Sequence, residues 1–266
     1  MKGTNYRSKN ISILGCGWLG FPLAKHLKNN GHIVKGSSRS KEKLAMLEKA
    51  GIYPFQVDIE QLDDLETSES FLQAEVLIVT IPLKNKESHE HLAGLIKNSN
   101  IKQIIYTSST GVYEPAINPV SENGVLKKDH PLVDIEKGYQ STGIPTCILR
   151  LSGLVGPDRH PGRFFRKRPD ALLSRVPINL IHLNDVILVF DWTIENQPCR
   201  EIFNITSKEH PMKFDFYSRA YMDYYKKPAQ FQLSTDEKAF KYIQTEKWES
   251  FSRLRFSLKK YYPRLF

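Results

Sequence analysis

Three glycines near the N-terminus, spaced Gly15-x-Gly17-x-x-Gly20, constrain the fold more than any other feature of this chain. The apolar run at residues 11–14 predicts a strand before them, and the apolar spacing over residues 18–30 predicts a helix after them. In such a unit the first glycine allows a tight turn, the second lets a pyrophosphate approach the backbone, and the third lets helix and strand pack closely. The helix N-terminus adds N–H groups and a positive dipole end. The sequence therefore predicts a dinucleotide site contacted by Gly15, Cys16, Gly17, Trp18, Leu19 and Gly20.

Short apolar runs alternate with amphipathic segments as far as residue 150. Strands separated by helices need crossover connections, and such connections join parallel neighbours. The pattern therefore predicts an α/β fold with a Rossmann-type doubly wound parallel sheet. The predicted strands cover residues 32–36, 53–57, 76–80, 103–107 and 146–150, and the predicted helices cover residues 41–50, 89–98 and 131–140.

The composition changes beyond residue 155. Residues 156–177 are rich in Pro, Arg and Phe, which indicates a long functional loop. A helix at 184–195, a strand at 201–206 and a helix at 211–226 are predicted after it. We therefore expect an NAD(P)-binding domain at residues 1–155. Residues 156–266 would form a smaller C-terminal α/β substrate-binding part, some of it returning to the Rossmann sheet.

The residues after the second predicted strand determine which dinucleotide fits. An acidic residue there would accept hydrogen bonds from the ribose 2′-hydroxyl and favour NAD. This chain has Ser37-Ser38-Arg39-Ser40-Lys41 instead, with no carboxylate before Glu42. Arg39 could pair with a 2′-phosphate while Ser38 donates a hydrogen bond. The sequence thus favours NADP(H) over NAD(H); the alternative is an exposed loop arginine.

The net charge of +9 restricts the class of partner. It indicates either a basic surface, or attraction to a phosphorylated small molecule or a nucleic acid. No nucleic-acid motif accompanies the charge, so a phosphate-bearing cofactor and a small-molecule substrate are the simpler interpretation. No apolar run approaches the roughly 20 residues that span a bilayer. Cys16, Cys147 and Cys199 show neither metal nor disulfide spacing, which favours a cytoplasmic protein.

Five segments together resemble the extended short-chain dehydrogenase/reductase superfamily, in its NAD-dependent epimerase/dehydratase branch. One is Thr107-Ser108-Ser109-Thr110-Gly111-Val112-Tyr113, after the fifth predicted strand. The segments at 13–20 and 160–165 are most similar to the atypical bacterial YeeZ-like proteins. The remaining two segments lie at residues 149–157 and 179–186.

The resemblance implies a catalytic serine or threonine four residues before the tyrosine of a Val-Tyr pair, which here is Ser109 before Tyr113. The Ser109 hydroxyl would hydrogen-bond a substrate oxygen at the carboxyl edge of the sheet. The alternative for Ser108, Ser109 and Thr110 is turn chemistry after a strand.

The resemblance also implies cofactor contacts elsewhere along this edge. Asp58 and Ile59 match positions that usually hold the adenine ring, and residues 151–156 would lie beside the nicotinamide. His182 and Asp185 match a segment that usually packs the C-terminal part against the core, so they are expected to be structural. The other implied cofactor contacts are Thr80, Ile81, Pro82 and Ser108.

One expected feature of the superfamily is missing. Its members carry a Tyr-x-x-x-Lys pair on the helix after the fifth strand, and the lysine lowers the pKa of the tyrosine, which acts as general acid or base. Between Tyr113 and Arg150 the only tyrosine is Tyr139, and Gly143 stands four residues on. The substitutes open from the sequence are Tyr113, which could instead pack structurally, and His160, which could instead be a plain loop residue.

The loop around His160 adds Arg159 and Arg163 as anion-binding candidates for the substrate. Two functions follow. The first is an NAD(P)-dependent oxidoreductase or epimerase/dehydratase-like enzyme acting on a small, phosphorylated or nucleotide-sugar substrate. The second is a catalytically silent NADP(H)-binding sensor or regulatory protein. Extended family members are often dimers, so the resemblance implies a homodimer as one option.

Overall fold

The computed structural model describes residues 7–61, 65–82, 85–235 and 239–266. Its contacts divide the chain into two compact units. The first unit contains the described residues up to 108, with 129–149 and 189–202. The second contains 109–128, 150–188 and the residues from 203 onward. The units thus interleave along the chain, whereas the sequence predicted one boundary at residue 155.

The strands are numbered along the chain, and seven of them form the main sheet. Their order across the sheet is β10 (Glu201–Ile205), β6 (Thr146–Leu151), β5 (Gln103–Ser109), β4 (Val76–Val79), β1 (Asn10–Leu14), β2 (Ile33–Ser37) and β3 (Tyr53–Phe55). Ile11 pairs with Val34 on one side and with Val76 on the other, both in parallel register. The parallel sheet confirms the predicted Rossmann-type α/β fold. The remaining strands lie outside the main sheet and are β7 Gly153–Val155, β8 Leu172–Leu173, β9 Leu180–His182 and β11 Gln232–Leu233.

Eight α-helices accompany these strands in the described part of the chain. Local sequence explains several of their ends. The Ser40 hydroxyl accepts from the Lys43 N–H at the start of the second helix, and the Asn85 side chain accepts from Glu87 N–H at the start of the fourth. The helices are α1 Gly20–Asn29, α2 Lys41–Lys49, α3 Leu65–Leu72, α4 Lys86–Lys97, α5 Pro131–Gln140, α6 Leu183–Asn196, α7 Lys213–Tyr225 and α8 Glu246–Ser252.

The structure contains elements that were not predicted, namely the short strands β7, β8, β9 and β11 and helix α8, and β8 lies within the segment predicted as a long loop. Three further departures have a clear local cause. Helix α1 begins at Gly20 rather than residue 18, because the glycine turn occupies the residues before it. Strand β5 extends to Ser109 and so includes both serines that were expected to follow it. Helix α3 was not predicted, because its sequence LETSESFL carries no regular apolar stripe.

Each unit has its own hydrophobic core. In the first unit, Leu77 and Val79 of β4 pack with Ile104 of β5 and Ile148 of β6. In the second unit, Phe216 of α7 packs with Val155, Leu173 and the C-terminal residues Leu258 and Leu265. The end of the chain is thus part of the core of the second unit. Over the residues that the structure describes, no helix is both long and apolar enough to cross a membrane.

Candidate functional site

The glycine turn after β1 is held by polar groups from neighbouring strands. Gly15 has φ +97°, a left-handed conformation that favours glycine, which explains the need for this residue. The Gly15 N–H donates to Ser37 Oγ at 2.9 Å. The Thr80 hydroxyl donates to the Gly15 carbonyl at 2.7 Å and to the Leu14 carbonyl at 3.2 Å. Ser37 and Thr80 therefore fix the turn from the ends of β2 and β4.

The three glycines differ in the space around them. A Cβ on Gly20 would lie 2.3 Å from the Gly15 carbonyl oxygen, and one on Gly15 would lie 2.5 Å from Ile81 Cγ2. A Cβ on Gly17 would meet nothing within 4 Å. Gly15 and Gly20 are therefore required by packing, whereas Gly17 leaves open space beside the backbone. This is the arrangement that a pyrophosphate needs in order to approach the turn.

The remaining residues of the turn contribute through backbone and packing. The Cys16 N–H donates to the Ser37 carbonyl at 2.7 Å. Its thiol is buried beside Gly36, and burial raises the pKa of Cys16 to about 12, so the side chain is a core group. Leu19 is also buried, and Trp18 is half-buried.

Arg39 follows β2 and is paired with carboxylates. Its Nη1 lies 3.4 Å from Asp58 Oδ2 and 3.9 Å from Glu60 Oε2, and 56% of its side chain is exposed. Ser38 Oγ accepts from the Ser40 N–H at 3.2 Å, and so helps to form the turn into α2. Arg39 thus lies at the carboxyl edge of the sheet, with two acidic residues from the loop after β3.

The other predicted cofactor contacts of the first unit also follow strands of this edge. Ile59 is buried after β3, and Asp58 Oδ1 accepts from the Glu60 N–H at 3.2 Å. After β4, Ile81 is half-buried against Gly15, and Pro82 is exposed. Because the carboxyl ends of parallel strands share one edge, the structure brings these residues together with the glycine turn.

Ser108 and Tyr139 are committed to the interior of the first unit. The Ser108 hydroxyl donates to the buried carboxylate of Glu136 on α5. Tyr139, also on α5, has its hydroxyl 2.8 Å from His89 Nδ1. Burial raises the pKa of Tyr139 well above its ordinary value and lowers that of His89 to about 4. Neither Ser108 nor Tyr139 therefore has the exposed, tuned hydroxyl of an acid or base.

Ser109 belongs to the second unit and begins a 3₁₀ turn at residues 110–112. Its Oγ accepts from the Gly111 N–H at 3.0 Å. This hydrogen bond is the turn interaction that the sequence analysis gave as the alternative to a catalytic role. The bond uses a lone pair of Oγ and not its proton, and the side chain is half-buried, so Ser109 keeps the chemistry to donate to a substrate oxygen.

Tyr113 lies in a buried polar network of the second unit. Its hydroxyl donates to Asn204 Oδ1 at 2.7 Å and accepts from Arg150 Nη1 at 2.7 Å. The Arg150 guanidinium also lies over its ring, 4.9 Å from the centroid, and donates to the Glu122 carbonyl at 3.2 Å. Burial raises the pKa of Tyr113, while Arg150 opposes the rise. The geometry favours the structural alternative for Tyr113 over acid–base catalysis.

His160 links the loop at residues 156–177 to α7. Its Nδ1 accepts from the Gly162 N–H at 3.1 Å, and its ring stacks on Tyr224 at 5.2 Å. Nε2 lies 3.7 Å from Asp223 Oδ2, and burial lowers the pKa of the ring. A Cβ on Gly162 would lie 2.2 Å from the Ala220 carbonyl, so this glycine permits close contact with α7. His160 therefore has a clear packing role.

The two arginines predicted to bind substrate lie in the same loop and are exposed. Arg163 Nη1 donates to the Asp158 carbonyl at 3.0 Å, and its guanidinium lies 5.9 Å from the Tyr224 ring centroid. Arg159 exchanges backbone hydrogen bonds with Gly156 across a turn. The loop thus presents both cations on the surface of the second unit.

His182 and Asp185 have the structural surroundings that were expected. The His182 ring stacks on Tyr261 at 3.6 Å, and the Tyr261 hydroxyl donates to Asp185. Burial lowers the pKa of His182 to about 4 and raises that of Asp185. Both residues fasten the C-terminal segment to the second unit.

Sequence reasoning missed two residues that hold the candidate site, Ser37 and Lys241, and it gave Thr80 as a cofactor contact without its role in the turn. Ser37 and Thr80 support Gly15, as described above. Lys241 Nζ donates to the carbonyls of Thr110 and Tyr113, on either side of the turn after Ser109. Lys241 is 128 residues from Tyr113, and nothing in the local sequence around it signals this contact.

Comparison with known proteins gives the family. Residues 10–108 match the family described as NADP oxidoreductase, coenzyme F420-dependent. Protein YeeZ of Escherichia coli K12 is 32% identical over 245 residues, which cover 86% of this chain and 88% of YeeZ.

Two solved structures share the fold at low sequence identity. Bordetella bronchiseptica WbmG in complex with NAD is 16% identical, with a TM-score of 0.79 over 95% of this chain and 90% of WbmG. WbmG has also been solved with NAD and UDP. MoeE5 in complex with UDP-glucose and NAD is 14% identical, with a TM-score of 0.77 over 96% of this chain and 97% of MoeE5. The chain therefore belongs to the YeeZ family, and it shares the NAD(P)-type Rossmann fold with WbmG and MoeE5.

Proposed function

We propose that this protein binds NAD(P)H at the glycine turn of its first unit and transforms a small nucleotide-sugar substrate as an oxidoreductase or epimerase/dehydratase-like enzyme. When bound, the cofactor would accept or supply a hydride at its nicotinamide ring. Gly15, Gly17 and Gly20 would hold the pyrophosphate, and Ser109 would orient a substrate carbonyl or hydroxyl. The ligands solved with WbmG and MoeE5 support a nucleotide-sugar as the substrate class.

The observation that carries the proposal is the open space beside Gly17, between two glycines that packing requires. Packing would allow a side chain at position 17, so the glycine there leaves the backbone of the turn open to a ligand. Helix α1 begins at Gly20, directly after the turn, so its positive dipole end favours a phosphate there. The Phe21 N–H donates to the Gly17 carbonyl and Pro22 has no N–H, so the Gly20 N–H is the donor that the start of α1 would offer. The residues present therefore fit a dinucleotide.

The test is a pair of alanine variants with nucleotide titration. Gly17→Ala adds a methyl group where no atom outside the adjacent residues lies within 4 Å, so folding should be unchanged. The same methyl group would occupy the approach of the pyrophosphate, and we expect affinity for NADPH and NADH to fall about tenfold or more. Gly94→Ala is the matched control, because Gly94 on α4 also has open space around it. Equal affinities in the two variants would contradict the proposal.

We favour NADP(H) over NAD(H) because Arg39 lies after β2, where the 2′-phosphate of NADP(H) would bind. Its ion pair with Asp58 is exposed, and exposed pairs contribute about 0–1 kcal/mol. Hydrogen bonds to charged groups contribute about 1.5–3 kcal/mol, so a doubly charged 2′-phosphate could displace the carboxylates. Asp58 and Glu60 would then compete with the phosphate for Arg39.

Two variants test this preference. Arg39→Ala should weaken NADPH binding about tenfold or more and NADH binding much less, since only NADPH has the 2′-phosphate. Asp58→Asn combined with Glu60→Gln should strengthen NADPH binding, because it removes the competing charges. Equal losses of both nucleotides in Arg39→Ala would remove Arg39 from the 2′-phosphate site.

The position of Tyr139 favours a second candidate, an NADP(H)-binding sensor without turnover. This tyrosine on α5 is buried and paired with His89, and Gly143 stands where the lysine of a Tyr-x-x-x-Lys pair would be. Oxidation of NADPH and NADH against a panel of nucleotide sugars and carbonyl compounds separates the two candidates. If a compound of the panel is turned over and the rate falls in Ser109→Ala, the protein is an enzyme. If NADPH or NADH binds but no compound of the panel is turned over, the sensor is supported.

A further inference from the structure

Lys241 lies on a segment that runs beside residues 116–120 in the second unit. The Ala116 N–H donates to the Phe240 carbonyl at 3.0 Å, and the Val120 N–H donates to the Tyr242 carbonyl at 2.7 Å. Ile243 also forms a parallel bridge with Val120. Backbone pairing on both sides of Lys241 therefore fixes where its side chain begins.

The Lys241 ammonium bridges the turn that follows Ser109. Nζ donates to the Tyr113 carbonyl at 2.9 Å and to the Thr110 carbonyl at 3.3 Å. The side chain is half-buried, and burial lowers the pKa of the amine. A charged donor in these surroundings forms stronger hydrogen bonds to carbonyl groups than a neutral one would. The turn is thus held at both ends by one cation.

A second layer of hydrogen bonds holds the backbone of Lys241. Asn179 Nδ2 donates to the Lys241 carbonyl at 2.8 Å, and Asn179 Oδ1 accepts from the Ile243 N–H at 3.0 Å. His210 Nδ1 lies 2.8 Å from the same Oδ1, and must therefore carry the proton. Asn179, held by His210, thus fixes the backbone at Lys241 and at Ile243.

We propose that Lys241 is the positioning residue for Ser109. Its ammonium fixes residues 110–113, and Ser109 at the start of the turn accepts from Gly111 N–H within the same turn, so the direction of the Ser109 side chain depends on this cation. A lysine that was only a surface cation would not be half-buried between two main-chain carbonyls. The inference rests on the proposed function in taking Ser109 as the residue that contacts substrate.

Lys241→Met tests the proposal, because methionine fills similar volume and removes the donors. Amide hydrogen exchange should accelerate about tenfold at residues 110–116, where the Tyr113 N–H donates to Thr110 and the Glu114 N–H to Val125. Exchange in α7 should be unchanged. Lys241→Arg should restore protection, since arginine also donates from a cation. Lys227→Met, at an exposed lysine of the same unit, is the matched control.

The second readout is turnover on whichever compound of the panel reacts. Lys241→Met should lower kcat about tenfold and leave KM within about twofold, and Lys241→Arg should recover most of kcat. The proposal is overturned if residues 110–116 exchange as in the unchanged protein, or if exchange rises equally through α7. NADPH and NADH titration is separate: if no variant binds either nucleotide, the proposed function fails, while the exchange data still decide the role of Lys241.

Discussion

The two units of the molecule differ sharply in charge. The segments of the first unit contain 16 basic and 17 acidic residues, a net charge of −1. Those of the second contain 22 basic and 12 acidic residues, a net charge of +10. The excess positive charge of the whole chain therefore belongs to the unit that lacks the glycine turn. The net charge of the whole chain does not show this difference between the units. The positive charge of the second unit would attract anions to the unit that contains most of the residues predicted to bind the substrate.

The glycine turn of the first unit and the Tyr113 network of the second use polar residues differently. In the first, backbone groups and short side chains such as Ser37 and Thr80 form the turn. In the second, long side chains join distant parts of the chain: the Tyr113 hydroxyl contacts Asn204, 91 residues away. We therefore expect the glycine turn to be sensitive to added atoms and the Tyr113 network to be sensitive to the removal of a donor.

The largest expected effect is in the second unit. Arg150→Met removes a buried guanidinium that serves the Tyr113 hydroxyl and the Glu122 carbonyl. Its loss leaves the Glu122 carbonyl and one lone pair of the Tyr113 hydroxyl without this donor, although that hydroxyl still donates to Asn204. We expect the free energy of unfolding to fall by about 1–3 kcal/mol for each acceptor. Urea denaturation measures the change. Arg175→Met is the control, because the Arg175–Asp215 pair is at the surface, and its effect should be small. Equal effects of the two variants would remove the special role of the buried network.

The next effect is in the first unit. Gly20→Ala places a Cβ 2.3 Å from the Gly15 carbonyl, so the turn or α1 must shift. Overpacking of this kind costs about 1–3 kcal/mol of unfolding free energy. Thermal and urea unfolding of Gly20→Ala and Gly17→Ala make the comparison, since Gly17 has open space. If both variants are equally stable, the close approach of α1 to the turn is not required for folding.

The sequence predicted the first unit better than the second, for a physical reason. The glycine turn, the strands of the sheet and α5 are specified by local spacing, so residues 131–140 were predicted with the bounds that the structure has. The placement of Ser37 and Thr80 against Gly15 depends on neighbouring strands, and their roles could not be predicted. In the second unit, strands β7 and β9 are three residues long, too short for a periodic pattern. The contact of Lys241 with the turn after Ser109 has no local signal at all.

Acid unfolding tests whether the different net charges of the two units affect their stability. Burial lowers the pKa of His89 in the first unit and of His182 in the second, each to about 4. The unfolded chain takes up these protons near pH 6.5, so both units should lose stability as the pH falls from about 6.5 to about 4. We expect each histidine to account for roughly 1–3 kcal/mol of this loss.

The measurement is urea unfolding at pH 7 and pH 4.5 for the unchanged protein, His89→Gln and His182→Gln. Each variant should lose less stability on acidification than the unchanged protein. Lys260 also lowers the pKa of His182, whereas burial alone accounts for His89. Added salt should therefore reduce the acid effect of His182 and leave that of His89. Equal responses to salt would mean that the charge of the second unit does not reach His182.

The smallest expected effect distinguishes two buried tyrosines of the first unit. The rings of Tyr106 and Tyr139 lie 4.9 Å apart. Within the described residues, the Tyr106 hydroxyl is buried without a hydrogen-bond partner, whereas the Tyr139 hydroxyl is paired with His89. Tyr106→Phe removes only an unsatisfied group, so stability should be unchanged or rise by up to about 1 kcal/mol.

Tyr139→Phe should instead lower the free energy of unfolding by about 0.5–1.5 kcal/mol, because it leaves His89 Nδ1 without its partner. Urea unfolding at pH 7.5, where His89 is neutral, isolates this bond from the titration of the ring. A loss of stability in Tyr106→Phe would mean that a buried water pairs with its hydroxyl. The interior of the first unit would then use a polar network of the kind that Arg150 and Tyr113 form in the second, and the contrast between the units would be confined to charge.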